Sequence, residues 1–366
     1  MAFVDAGAVE RNCRTLKERV GEGTELCAVV KANGYGHGAA VCAAAAMRGG
    51  ATRLAVAAAA EADELRRHFS DAPILVMGAL TGEEMRTALA ARADLAVWRE
   101  GFRELCSRAA GELGRQARVH VKLDSGMGRL GERDPATLID LARACADDDN
   151  LELAGVWTHF ATADEPDDVF LGEQLAAFTP VAEAVREIAP ACTVHAANSA
   201  ATLRDPATHF DMVRCGIAVY GLDPFHRDPA ENGLEPALEL HSYVADVKRF
   251  ERGASAGYGR TWRAPDDTWV GILPIGYGDG VRRGLSNNAD VLVGGDRRPL
   301  VGTVSMDNIT IDLGPETEVE PGAPAVLIGP QGSDRILAEE VAARLDTINY
   351  EVTCGISQRV PRRVSE

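Results

Sequence analysis

Residues 28–38 read Ala-Val-Val-Lys-Ala-Asn-Gly-Tyr-Gly-His-Gly, placing Lys31 directly after a β-branched pair and ahead of three glycines. The Val29-Val30 pair predicts a strand that ends at Lys31. The glycines predict a turn whose backbone takes positive φ or closely approaches a ligand. Lysine is scarce, since four (Lys17, Lys31, Lys122 and Lys248) stand against 34 arginines. A lysine at this place points to amine chemistry rather than to charge alone. A free lysine amine has a pKa of about 10.4, so roughly one molecule in a few thousand is neutral at pH 7. Condensation with an aldehyde cofactor, commonly pyridoxal phosphate, removes that obstacle. Taken by itself, Gly-x-Gly-x-Gly equally describes a strand-to-helix turn with a solvated lysine.

Further polar residues stand out in otherwise apolar runs: Lys122, Asp124 and Arg129; His159; Asn198 and Ser199; and Arg214 ahead of Cys215-Gly216-Ile217. Eight strand-like runs carry or precede them: 26–30, 54–57, 74–77, 95–98, 119–123, 153–157, 193–196 and 212–215. Helix-like segments alternate with them at 39–47, 61–69, 83–91, 102–113, 136–146 and 168–188. Such alternation predicts parallel βαβ units, and eight is the number that closes a (β/α)8 barrel; a doubly wound open sheet is the alternative. The barrel makes a demand: functional residues belong at the C-terminal strand ends, with phosphate held after strands seven and eight. Lys31 follows strand one, Lys122 to Arg129 strand five, His159 strand six, Asn198-Ser199 strand seven and Arg214 strand eight. Helical spacing would not gather these residues.

The remainder differs in character. Residues 222–234 carry two Asp-Pro pairs and Asn-Gly, an irregular linker. Alternating strand patterns follow at 239–250, 269–274, 289–293, 299–304 and 325–328, with a Gly294-Gly295-Asp296 hairpin signal and one helix-like stretch, 337–345. The expected organisation is an α/β barrel over 1–230 and a mainly-β domain over 231–366.

Composition bounds the partners. A net charge of −17 argues against nucleic acid or an anionic membrane. No apolar run is long enough to span a bilayer, and Asp5 and Glu10 follow Met1 where a basic-then-apolar signal would stand. The eight cysteines are scattered without Cys-x-x-Cys, the pattern of buried free thiols in a reducing cytoplasm.

Beyond single residues, the string 28–38 closely resembles the pyridoxal-phosphate lysine signature of alanine racemases. Val121-Lys-Leu-Asp-Ser-Gly-Met-Gly-Arg-Leu-Gly131, Ala256-Gly-Tyr-Gly-Arg-Thr-Trp262, Pro274-Ile-Gly-Tyr-Gly-Asp-Gly280, Ser305-Met306-Asp307 and Ile348-Asn349-Tyr350-Glu351 match that family too. The resemblance covers nearly the whole chain. It implies Lys31 as Schiff-base residue and one catalytic base, with Tyr258 as the second. Tyr35, Ser199 beside Asn198, the amides of Gly216 and Ile217, and Tyr350 would hold the phosphate. Arg214 would face the pyridine nitrogen, with His159 beside the ring and hydrogen-bonded to Arg214. Arg129 and the Met306 backbone would take the substrate carboxylate, Tyr277 and Asp307 would stand at the entrance, and Lys122 would be carbamylated. Tyr258, Tyr277 and Met306 would enter from the partner of a head-to-tail homodimer. Thr303 stands where some members carry an arginine.

Plainer roles exist for each residue: Ser199 as an N-cap, His159 as a core histidine, Lys122 as a surface partner of Asp124, Tyr258 as a hairpin aromatic. Arg214 discriminates among activities. An arginine only donates, so it leaves the pyridine nitrogen unprotonated, which suits racemisation of alanine for peptidoglycan. A racemase for serine or another small amino acid is an alternative. A decarboxylase of the same fold would carry a carboxylate where Arg214 stands. A pyridoxal-phosphate carrier consisting of the barrel alone would lack the 130-odd residues after the linker.

Overall fold

A computed structural model describes residues 1–365. The eight runs form eight parallel strands: Glu25–Val29, Arg53–Val56, Ile74–Val76, Asp94–Val97, Ala117–Lys122, Leu151–Trp157, Thr193–His195 and Met212–Cys215. They close into a barrel, the last pairing in parallel with the first from Glu25 opposite Met212 to Ala28 opposite Cys215. Closure excludes the open sheet. All eight strands are buried at every or all but one residue, because side chains point alternately into the barrel and under the helices.

The expected helices occupy Ala39–Arg48, Ala59–His68, Gly82–Ala90, Glu100–Glu112, Pro135–Ala146 and Phe170–Ile188. Local chemistry sets their starts. Thr81 and Glu84 exchange side-chain and backbone hydrogen bonds as a capping box. Asp134 accepts from the Thr137 amide at 2.9 Å, with Pro135 at the first helical position.

The chain divides into two compact units. One comprises Val9–Phe225 with Asn232–Leu234; the other comprises Met1–Ala8, His226–Glu231 and the residues from Glu235 on. The second unit is discontinuous, which a single cut at 230/231 does not describe. Its seven-stranded sheet seats the amino-terminal strand Ala2–Asp5 between Leu238–Tyr243 and Arg362–Ser365. A three-stranded sheet joins Asp246–Phe250, Thr268–Leu273 and Ile309–Gly314.

Two strand expectations change here. The run 239–250 is two strands in different sheets. The Val244 amide bonds to Ala323 while the Ala245 amide bonds to Ile272, so the chain passes between sheets at that step. The run 299–304 is no continuous strand, since Gly302 takes φ 79° and only Leu300 bridges to Ile311; the hairpin arm lies earlier, at Asp296–Pro299. Among the described residues, no helix is long and apolar enough to cross a membrane.

Candidate active site

Strand one ends at Val29, and Lys31 opens a turn of unusual hand. Ala32, Asn33, Gly34 and Tyr35 all lie at φ between 51° and 62°. Left-handed backbone costs a non-glycine residue roughly 1–2 kcal/mol, so three such residues need external support. Glu61 accepts from the Ala32 amide at 2.6 Å and from the Ala57 and Ala58 amides at 2.9 and 3.1 Å. Asn33 Oδ1 accepts from the Ala39 amide at 3.0 Å. His37 Nδ1 meets two carbonyls of the turn, Gly34 at 3.1 Å and Tyr35 at 3.0 Å, so it carries the proton. The turn is clamped, and it sets Lys31 Nζ 5.9 Å from the centre of the Tyr35 ring.

Arg214 on strand eight is 3% exposed. Nη1 donates to His195 Nδ1 at 2.9 Å, and Nη2 to the Thr158 and Ala196 carbonyls at 2.9 and 3.1 Å and to His159 Nδ1 at 3.3 Å. Because guanidinium only donates, both imidazole nitrogens facing it must be unprotonated acceptors. Burial, then the charge of Arg214, holds both histidines well below their ordinary pKa. Burial also lowers Arg214 itself, to about 10, which leaves it cationic at neutral pH. Its Nε–H has no acceptor among the described residues. His159 is thus half-buried against Arg214, not a self-satisfied core histidine.

Asn198, and not Ser199, caps the helix Ser199–Arg204, its Oδ1 accepting from the Ala201 amide at 3.0 Å. That correction frees Ser199. Its Oγ accepts from the Gly216 amide at 3.0 Å and the Ala218 amide at 3.3 Å, which leaves its own hydrogen to donate. Gly216 is bare where a Cβ would overlap the Tyr35 hydroxyl. Tyr35, Ser199, Gly216 and Ile217 are therefore assembled around one spot from three separate segments.

Lys122 is buried at the end of strand five, with Nζ 4.3 Å from the Trp157 ring centre. Burial first, then Arg214 and Arg129, brings its pKa down to about 7. The surface pair with Asp124 does not form; Asp124 instead accepts from the Gly126 and Gly128 amides at 3.1 and 2.9 Å and shapes the turn toward Arg129. Arg129 is exposed and donates to no acceptor among the described residues.

In the other unit, Tyr258, Tyr277 and Met306 are 73%, 44% and 52% exposed. Thr303 Oγ1 donates to the Tyr258 carbonyl at 2.7 Å. Arg359 grips Asp279 at 2.7 and 2.9 Å and Asp307 at 2.8 Å, and the Tyr277 amide donates to Ser305 O at 3.0 Å. Tyr350 lies in the short helix Asn349–Cys354. A concavity of about 1190 Å³, lined by Glu316, Glu318 and Glu320 among others, contains none of these residues.

Glu61, His195, Asp279 and Arg359 are supports the sequence reading passed over. Only His195 left a visible signal, a polar residue inside an apolar strand.

The residues fit pyridoxal phosphate: an unspent Arg214 N–H, a Ser199 hydroxyl with its hydrogen available, and a cradle at Gly216 that a side chain would fill. Fold and site define a barrel enzyme with a lysine after strand one, joined to a mainly-β unit. Residues 4–224 match the alanine racemase N-terminal domain, and residues 237–364 match the C-terminal domain. The chain belongs to the alanine racemase family, whose members are pyridoxal-phosphate-dependent isomerases. It is 44% identical to an alanine racemase of Symbiobacterium thermophilum, over 99% of this chain and 96% of that one. It is 40% identical to alanine racemase 1 of Bacillus subtilis, over 100% and 92%. Among solved structures, the racemase from D-cycloserine-producing Streptomyces lavendulae superposes with TM-score 0.95 at 37% identity, covering 100% of this chain and 96% of that one. The Bacillus anthracis alanine racemase with bound L-Ala-P gives 0.91 at 39%, covering 100% and 94%.

Proposed function

We propose that this protein interconverts L- and D-alanine with pyridoxal phosphate by a two-base mechanism, supplying D-alanine for peptidoglycan. The observation that carries the reading is the donor-only Arg214, buried at the C-terminal end of the barrel among neutral acceptors. When bound, the cofactor supplies the aldehyde that takes up an amine and a ring that withdraws electrons from Cα. Lys31 Nζ would hold it covalently and, once the substrate amine has displaced that nitrogen, would move the proton at Cα on one face. Tyr258 of the partner subunit moves the proton on the other face, so neither base needs to cross the plane. Arg214 Nε–H would donate to the ring nitrogen and keep it unprotonated, which would restrain side reactions. His159, held by Arg214, would stand beside the ring. Ser199 Oγ, set by the Asn198 cap, binds the phosphate together with Tyr35 Oη, the backbone at Gly216 and Ile217, and Tyr350. Arg129 and the Met306 backbone orient the substrate carboxylate. Tyr277 and Asp307 narrow the entrance, and a carbamate on Lys122 steadies Arg129.

Exposure of Tyr258, Tyr277 and Met306 supports their insertion into a second copy, a homodimer with shared sites. The test is incubation with L-alanine in deuterated water. Deuterium at Cα with loss of optical rotation is the expected result; evolved carbon dioxide, or no exchange at all, overturns it. The same assay with L-serine sets the breadth of substrate.

A further inference from the structure

Behind Arg214 a file of hydrogen bonds runs through the barrel core. Arg214 Nη1 donates to His195 Nδ1, so His195 carries its proton on Nε2. His195 Nε2 lies 2.8 Å from His120 Nδ1 and must donate to it, which puts the His120 proton on Nε2 as well. His120 Nε2 then donates to Asp94 Oδ2 at 3.2 Å. Asp94 also takes Arg53 Nη1 at 2.6 Å and Arg118 Nε at 3.2 Å. His120 and His195 are wholly buried. Asp94 opens strand four, the end opposite the strand termini that carry the chemistry. The file has a donor that cannot accept at one end and an acceptor that cannot donate at the other, so every proton in it has one position.

The fold reserves room for the middle of the file. Gly155 in strand six has no side chain, and a Cβ there would overlap His120 Nδ1. The pairing of strands five and six also slips its register at Val119/His120. Trp157 stacks on His195 at 5.6 Å between ring centres, 11° from parallel, and fixes that ring's plane.

We propose that Asp94 is a positioning residue for Arg214, locking His120 and His195 in their Nε2–H tautomers and so aiming the guanidinium from the far end of the barrel. The role assigned to Arg214 rests on the proposed function; the proton positions do not.

Histidine ring ¹⁵N spectra of the holoenzyme test the proton positions directly. His120 and His195 should both be neutral with hydrogen on Nε2; an Nδ1–H tautomer or an imidazolium at either overturns the inference. Two variants test the role. Asp94→Asn can keep its oxygen on His120 and Arg53 while its nitrogen turns toward Arg118, which is half exposed and already bonded to Glu152. Asp94→Ala leaves the His120 proton without an acceptor. Both lose the charge held by Arg53 and Arg118, so a merely structural role moves them together. Positioning predicts a split: Asp94→Ala mixes the His120 tautomers and lowers kcat about tenfold or more with KM within about twofold, and Asp94→Asn restores both. Equal kcat in the two variants, whether reduced or not, refutes it. Gly155→Ala crowds His120, and to a lesser degree the Thr193 carbonyl, without touching an ion pair, and should reproduce the Asp94→Ala pattern even if that variant folds poorly. A parent enzyme that fails to racemise alanine refutes the proposed function, and the tautomers still judge the file.

Discussion

¹³C-labelled bicarbonate should place a carbamate carbon on Lys122, and Lys122→Met should abolish its resonance. The amine's surroundings set the size of the effect. Lys122 is 2% exposed, and burial together with Arg214, Arg129 and Lys31 lowers its pKa from 10.5 to about 7, against a smaller opposing pull from Asp124. At about 1.4 kcal/mol per pKa unit, the ammonium form is disfavoured by about 5 kcal/mol. The face of Trp157 returns about 1 kcal/mol to the cation, too little to offset this. At pH 7 roughly half the amines are then neutral, about a thousandfold more than for an exposed lysine. The neutral nitrogen would attack carbon dioxide and release a proton to water, and the carbamate anion formed would sit in the same positive field, which would favour it. The folded pKa lies below the unfolded one, so the unfolded chain binds more protons in the window from pH 7 to 10.5. Without carbon dioxide, stability should rise with pH through that window, and Lys122→Met should stabilise the protein at pH 7 by about 4 kcal/mol. With bicarbonate, the carbamate offers Arg129 a charge-assisted partner worth about 2 kcal/mol, so the variant's KM for alanine should rise about 30-fold. Denaturant melts and steady-state kinetics at two bicarbonate levels measure both. No carbamate resonance at saturating bicarbonate, with KM unchanged in Lys122→Met, would refute the reasoning.

Borohydride reduction should leave the pyridoxyl group on Lys31; mass spectrometry finding it on Lys17, Lys122 or Lys248, or on none, contradicts the assignment. Arg214→Glu should protonate the ring nitrogen, shift the cofactor's absorption to longer wavelength and cost about 3 kcal/mol of barrier, roughly 10²-fold in rate. Parental racemisation without that spectral shift would make Arg214 a structural residue. Lys31→Ala and Tyr258→Ala should each be inactive. Mixed under subunit exchange, they should recover roughly a quarter of parental activity per subunit, because half the dimers regain one intact site. Recovery near zero despite demonstrated exchange would place both bases in one chain's site.

The sequence by itself determined the barrel and singled out the polar residues at its strand ends. Its eight apolar runs match the observed strands to within about two residues, because a buried parallel strand is apolar on both faces and reads as a continuous block. Lys31, Arg214 and Ser199 were legible because a polar residue at the end of such a block needs a reason to be there. Tertiary structure alone decided what supports them. Glu61 bonds Ala32 from 29 residues away, and Asp94 reaches His120 from 26. Neither spacing belongs to any helical or strand period. Asn198 took the cap from Ser199, since only the fold brings the Gly216 and Ala218 amides to the serine hydroxyl. The single alternating run 239–250 gave no warning that Val244 and Ala245 bond to different sheets. Periodicity records which face of an element is buried; the partner across the core is set by closure of the barrel, which no local pattern encodes.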